Sequence, residues 1–299
     1  WLTSIASIIT SSGELIRLNY IQCLSPSLPN KKGTIILIHG FPQTSYQFRH
    51  VITPLSDAGY TVVAPDYRGA SQSSKPLAGY AKFQMAEDLK LLLHSHLELK
   101  EKVHIVGHDI GGMVAFAYAA QYPENVATLT WSEFQVLHFT SCWPSQQQMK
   151  GTPDVFRFVF HQIRDLPESL VMGKEREYLK YFFDKLAYNI IGPIDLDRYV
   201  VAYTQPGAMR AGFEVYRAFE QDAEDNRKWL AENGKVRVPV LGMGGRKHLI
   251  AQHMEGMMAE VHDSTDALFV EGSGHFIAEK DPESFMKGIL EFVSEYNPS

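Results

Sequence analysis

The stretch Val103-His-Ile-Val-Gly-His-Asp109-Ile-Gly-Gly-Met-Val-Ala-Phe-Ala-Tyr-Ala-Ala120 passes from a short β-branched run through a Gly-x-Asp-x-Gly turn into a helical pattern of small residues. Glycines at 107 and 111 permit a tight turn and Gly112 permits close packing, so the Asp109 side chain is expected at the top of a sheet beside a helix N-terminus. The plain alternative is an aspartate that only caps the helix. A carboxylate is already ionised at neutral pH and needs no base to become a nucleophile. Attack by a serine on an alkyl carbon would give an ether that water cannot cleave, whereas attack by a carboxylate gives an ester that it can. Displacement at saturated carbon followed by hydrolysis is the chemistry this residue suits, as in epoxide opening or dehalogenation.

Around this turn, short apolar runs alternate with longer helical patterns, the mark of βαβ units and a parallel sheet buried on both faces. Strands are predicted at 34–38, 61–64, 103–106, 129–131, 238–242 and 268–270, and an antiparallel edge hairpin at 5–9 and 14–20 about Ser11-Ser12-Gly13. Apolar residues at spacings of three and four predict crossover helices at 51–55 and 85–97. The alternation stops after Glu133 and resumes at Val236, with an aromatic, helical stretch between. The expected organisation is therefore a core of residues 1–133 and 234–299, and a helical cap of residues 134–233 over the carboxyl ends of the strands, where open α/β sheets bind ligands.

The whole chain of 299 residues carries 28 basic and 34 acidic side chains, a net charge of −6, which argues against a nucleic-acid surface. The two cysteines, Cys23 and Cys142, stand far apart without a CxxC partner, so neither a disulfide framework nor a cysteine-based zinc cluster is encoded. There is no apolar run long enough to span a membrane, and Trp1–Ile9 lacks the charged start of a signal peptide. The expected setting is the cytoplasm, the expected partner a small molecule, and the expected assembly a monomer or homodimer.

In these features the chain resembles the α/β-hydrolase family, with aspartate where that family more often has serine. Three segments carry the resemblance further: His39-Gly-Phe41-Pro42 after the first parallel strand, Gly272-Ser-Gly-His275 after the last, and Asp66-Tyr-Arg-Gly between strand and loop, the last without a chemical role. The resemblance implies an oxyanion hole from the backbone N–H groups of Phe41 and Ile110, and His275 as the base that activates water. Many relatives carry the orienting acid after the strand at 238–242, but Gly244-Gly-Arg-Lys-His248 offers no carboxylate. A branch of epoxide hydrolases, similar also in the Gly-Lys-Glu-Arg and Phe-Glu-x-Tyr-Arg-Ala segments, places a glutamate after the preceding strand. Glu133 stands there, 24 residues past Asp109, and would accept the Nδ1–H of His275 and fix its tautomer.

An epoxide leaves as an alkoxide and calls for a phenol-type acid, and the resemblance assigns that part to Tyr216. The second cap donor, tyrosine in the family or histidine in that branch, is replaced by Arg157, with His161 four residues on. Arginine donates hydrogen bonds but is too basic to give up a proton. Either Tyr216 acts alone with water, or the substrate bears an anionic or carbonyl group for Arg157. Arg157, His161, Phe41, Pro42 and His108 are the expected substrate-binding residues, and the aromatic cap implies an apolar or aryl epoxide. Ile110 occupies the position where haloalkane dehalogenases have tryptophan and fluoroacetate dehalogenases arginine, so neither halide-binding pattern is present. The expected activity is cofactor-free, metal-free hydrolysis of epoxides to vicinal diols. The alternatives are a hydrolase or dehalogenase for another, possibly carboxylated, electrophile, or a non-catalytic small-molecule sensor on the same fold.

Overall fold

The computed structural model describes residues 1–26, 31–133, 156–186 and 193–296. Eight strands form one sheet: β1 (Leu2–Ile9), β2 (Leu15–Cys23), β3 (Gly33–Ile38), β4 (Tyr60–Pro65), β5 (Val103–His108), β6 (Val126–Ser132), β7 (Val240–Gly245) and β8 (Asp266–Val270). Helices in chain order are α1 (Ile52–Asp57), α2 (Lys82–Lys90), α3 (Ile110–Gln121), α4 (Arg157–Phe160), α5 (Leu166–Val171), α6 (Glu175–Leu186), α7 (Pro193–Tyr203), α8 (Ala208–Arg217), α9 (Phe219–Asn233), α10 (Met254–Val261), α11 (Ile277–Lys280) and α12 (Pro282–Ser294). The strand order is β1-β2-β4-β3-β5-β6-β7-β8. β1 and β2 pair antiparallel, as the hairpin pattern predicts, and every pair from β4 to β8 is parallel.

The period-2 alternation of a strand assigns its side chains to two cores. Ile36 and Ile38 pack on the side of α2, α3 and α10, while Ile35 and Leu37 pack on the side of α1 and α12. α3 is the most deeply seated helix; all but its last residue are buried, and its Ala-rich surface lets it lie close against the strands.

Most predicted boundaries shift by a few residues, and two of the shifts have a clear cause. β7 begins at Val240 and not at 238 because Pro239 has no N–H for the ladder; its carbonyl instead accepts the amide of Leu129 at 2.9 Å. The helix predicted through 97 ends as α2 at Lys90 and widens into a π turn over Leu91–His96, where the Leu97 N–H reaches five residues back to Leu92. Of the stretch expected to be helical, 134–155 lies outside the described residues, as does Cys142, and 157–233 supplies α4 to α9. Phe182, Tyr203, Phe213, Tyr216 and Phe219 from this segment belong to the same apolar cluster as α3 and β5, so these helices are continuous with the core.

Candidate active site

Asp109 sits between β5 and α3 with φ 52° and ψ −121°, a backbone state costly for a side chain with a Cβ. Close packing enforces it. A Cβ on Gly111 would lie 2.1 Å from the Ile38 carbonyl, and one on Gly40 would lie 2.4 Å from the Asp109 Cβ, so only hydrogen fits at either place. Held in this way, the Asp109 Oδ1 accepts the backbone N–H of Phe41 at 3.0 Å, and Oδ2 lies 3.4 Å from the Nε2 of His275. Ile110 opens α3, so its N–H has no acceptor within the helix.

His275 follows β8 in a loop anchored at both of its backbone groups. Its N–H donates to the Leu186 carbonyl at the end of α6 (3.1 Å), and its carbonyl lies 2.8 Å from the Nε2 of His108. Its Nδ1 lies 3.2 Å from the Oε2 of Glu133. Burial pulls the His275 pKa down, but the hydrogen bonds and charges of Asp109 and Glu133 outweigh it and raise it above the usual imidazole value. Asp109 responds in the opposite sense: burial would raise its pKa, but the His275 hydrogen bond and the charges of His275, His108 and Arg157 hold it at about 2.

Glu133 stands at the end of β6, fully buried, with φ 53°. Its N–H donates to Met243, and its Oε1 accepts the Gly245 N–H at 2.6 Å, so β7 fixes both its backbone and its carboxylate. Oε2 faces two imidazoles, His275 and His248, whose Nδ1 lies in close contact with it. Burial would lift the Glu133 pKa, but the pull of His248 and then of His275 holds it at about 2. From the sequence alone, His248 has no role beyond marking a loop that lacks a carboxylate. Its position at the family's other acid site was the available signal that it faces the same imidazole. Among the described residues, Glu133, His248 and His275 bring three potential metal-ligand atoms within 4.8 Å of one another.

The helices between β6 and β7 supply the opposite wall. Tyr216 on α8 is buried, 5.5 Å ring to ring from Phe41; burial and the Asp109 charge push its pKa far up, while a hydrogen bond from Arg157 pulls the other way. The Arg157 guanidinium lies over the ring of Phe158, 4.6 Å from its centroid, and 6.0 Å from that of Phe182. His161 is fully buried, its Nε2 2.5 Å from the Tyr178 hydroxyl and its ring 4.4 Å from that of Tyr216; burial holds it neutral. Phe41 packs edge-on against His161, Tyr203 and Tyr216, and Pro42 is buried beside it. His108 stands apart from the other expected substrate-binding residues, because its Nε2 is committed to the His275 carbonyl and only 1% of the residue is exposed.

Two ionic anchors attach this wall to the core, and nothing in the sequence analysis points to either. The Lys82 Nζ, at the start of α2, bonds Asp222 (2.6 Å) and the carbonyl of Val215 (2.7 Å), the residue before Tyr216. Arg49 pairs with Glu279 (2.6 Å) and Asp195 (3.2 Å), and Glu279, four residues past His275, is also bonded by Tyr199 and by Gln43.

A strained aspartate at a strand-to-helix turn, a histidine after the last strand and a buried acid between them, on this strand order, define an α/β-hydrolase. Residues 33–282 match the family model for the alpha/beta hydrolase fold, and the chain belongs to that family. It is 30% identical over 267 residues to the soluble epoxide hydrolase of Corynebacterium sp. strain C12, covering 87% of this chain and 90% of that one. Among solved structures, Cfl2 from Burkholderia cenocepacia superposes with a TM-score of 0.85 at 32% identity over 97% of this chain and 95% of that one. The epoxide hydrolase CorEH without ligand does so with a TM-score of 0.83 at 28% identity over 98% and 99%. The chain is accordingly an epoxide-hydrolase-like enzyme of the α/β-hydrolase family. No helix among the described residues is long and apolar enough to cross a membrane.

Proposed function

We propose that the enzyme opens epoxides to vicinal diols through an ester on Asp109. The observation that carries this reading is the continuous line from the Phe41 N–H through the Asp109 carboxylate and the His275 imidazole to buried Glu133, with links of 3.0, 3.4 and 3.2 Å. Asp109 attacks an oxirane carbon, the C–O bond breaks, and the leaving alkoxide takes a hydrogen bond and then a proton from Tyr216. Burial makes Tyr216 a reluctant acid but a good hydrogen-bond donor to a strongly basic alkoxide. Arg157, beside the Tyr216 hydroxyl, favours charge on that oxygen.

His275 then takes a proton from water, which attacks the ester carbonyl. The N–H groups of Phe41 and Ile110 hold the resulting oxyanion; on collapse the departing alkoxide takes the proton from the His275 imidazolium to complete the diol, and the proton left on the new Asp109 carboxyl passes through solvent to the Tyr216 phenolate, restoring both groups. Glu133 fixes the tautomer in which Nε2 carries the lone pair and stabilises the imidazolium. The helices of the 134–233 segment act as a cap over core residues 1–133 and 234–299, and their aromatic side chains suit an apolar or aryl substrate. A single turnover of styrene oxide in heavy-oxygen water tests the route: label enters the Asp109 carboxylate and not the diol. Label found directly in the diol overturns it.

A further inference from the structure

Glu133 presents one oxygen to two histidines, and only one of them is used in the proposed reaction. The other, His248, lies in the loop after β7, its ring 4.7 Å from that of His275 and its side chain 14% exposed, whereas Glu133 and His275 are closed to solvent. We propose that Glu133, His248 and His275 form an inhibitory site for Zn²⁺ and other borderline divalent cations. Two imidazoles and one carboxylate are an established three-ligand set for zinc that leaves a fourth position for water.

With zinc-to-ligand distances of about 2.0–2.2 Å, tetrahedral ligand atoms stand roughly 3.4 Å apart. The His275 Nδ1 and Glu133 Oε2 already stand 3.2 Å apart, and all three ligand atoms lie within 4.8 Å. The required adjustment falls on His248, which must swing away from Oε2 to admit the ion. It is the least buried of the three, so the path of entry and the movable ligand are the same residue. Glu133 gives the site a net negative charge when both imidazoles are neutral.

The consequence follows from the tautomer. Zinc on the Nδ1 of His275 takes that lone pair, and the single proton of the neutral ring moves to Nε2, the nitrogen that must accept a proton from water. Asp109 keeps its carboxylate and still attacks carbon. Zinc should therefore stop the enzyme after ester formation, a form of arrest that rests on the two-step reading above, whereas binding itself does not.

The test begins without substrate: calorimetric titration of Zn²⁺ into the full chain should give a site that His248→Gln weakens at least about tenfold, and that His248→Cys, which returns a metal ligand, restores. With styrene oxide, Zn²⁺ should halt multiple turnover while intact mass rises by one substrate per chain, and a chelator should release diol. Zinc binding unchanged by His248→Gln overturns the site, and inhibition without the mass adduct overturns its mode of action. Absence of any epoxide turnover by zinc-free enzyme would count against the proposed function alone, because the calorimetric result is read without substrate.

Discussion

Neutralising Asp109 should lower the pKa of His275, and by an amount the geometry sets. The two groups stand 3.4 Å apart, and Asp109 contributes to the raised pKa of His275 through both a hydrogen bond and its charge. A unit charge at that distance is worth about 5 kcal/mol at an effective dielectric constant of about 20 and about 1 kcal/mol in bulk water. Asp109→Asn removes an interaction of that size, so the His275 pKa should fall. The sign is fixed: the lost negative charge favoured the imidazolium, leaving Glu133 alone to oppose the downward pull of burial. A titration of the nitrogen-labelled imidazole by nuclear magnetic resonance, assigned by its absence in His275→Gln, reads the shift directly. An unchanged or raised value would refute the electrostatic coupling. In the proposed reaction the same charge disappears when Asp109 becomes an ester, so His275 would become a free base at the step that needs one. The acid limb of ester hydrolysis, where rate is lost as pH falls, should accordingly lie below the His275 titration of the resting enzyme.

Other substitutions separate the parts. Glu133→Gln keeps the shape but loses the charge behind His275, and rapid-quench kinetics should find ester hydrolysis slowed by up to about 10⁴-fold with ester formation much less affected. Tyr216→Phe keeps the ring in its aromatic setting and removes the donor; ring opening should slow by about 10²–10⁴-fold in single-turnover measurements, with ester hydrolysis unaffected. Lys82→Met strands Asp222 as an uncompensated buried charge and should cost about 3–5 kcal/mol in denaturant unfolding, whereas Lys82→Met with Asp222→Leu should recover most of it.

The parts of the site that follow from local chemistry are legible in the sequence. Asp109 is marked by Gly107 and Gly111, where an added Cβ would lie 2.3 and 2.1 Å from the nearest backbone oxygen, and Glu133 and His275 fall at the ends of strands that the apolar runs locate. What escapes is what depends on approach between remote segments. Lys82 and Asp222 are 140 residues apart, and nothing in the neighbourhood of either announces an ion pair. His248 carries no local signal either: family likeness predicts a carboxylate in the loop after β7, while the fold uses that position to place a second imidazole on the carboxylate already supplied by β6. His108 carries the opposite lesson: adjacent to Asp109 in the chain, it closes β5 and commits its Nε2 to the backbone carbonyl of His275, while the chain turns sharply at Asp109 itself.

The contact between Gly40 and Asp109 has a stereochemical consequence. The Gly40 backbone lies against the Cβ of Asp109, the Phe41 amide holds one carboxylate oxygen and His275 faces the other, so three sides of the group are occupied by the core. For the proposed reaction, displacement then proceeds from the rear of the C–O bond with inversion at whichever carbon is struck. The handedness of the diol is thus decided by how the oxirane lies beneath Tyr216 and Arg157, not by the nucleophile. Reshaping Phe158 or Phe213 on the facing helices is the route to altering enantiomeric outcome while the reacting carboxylate stays where the glycine holds it.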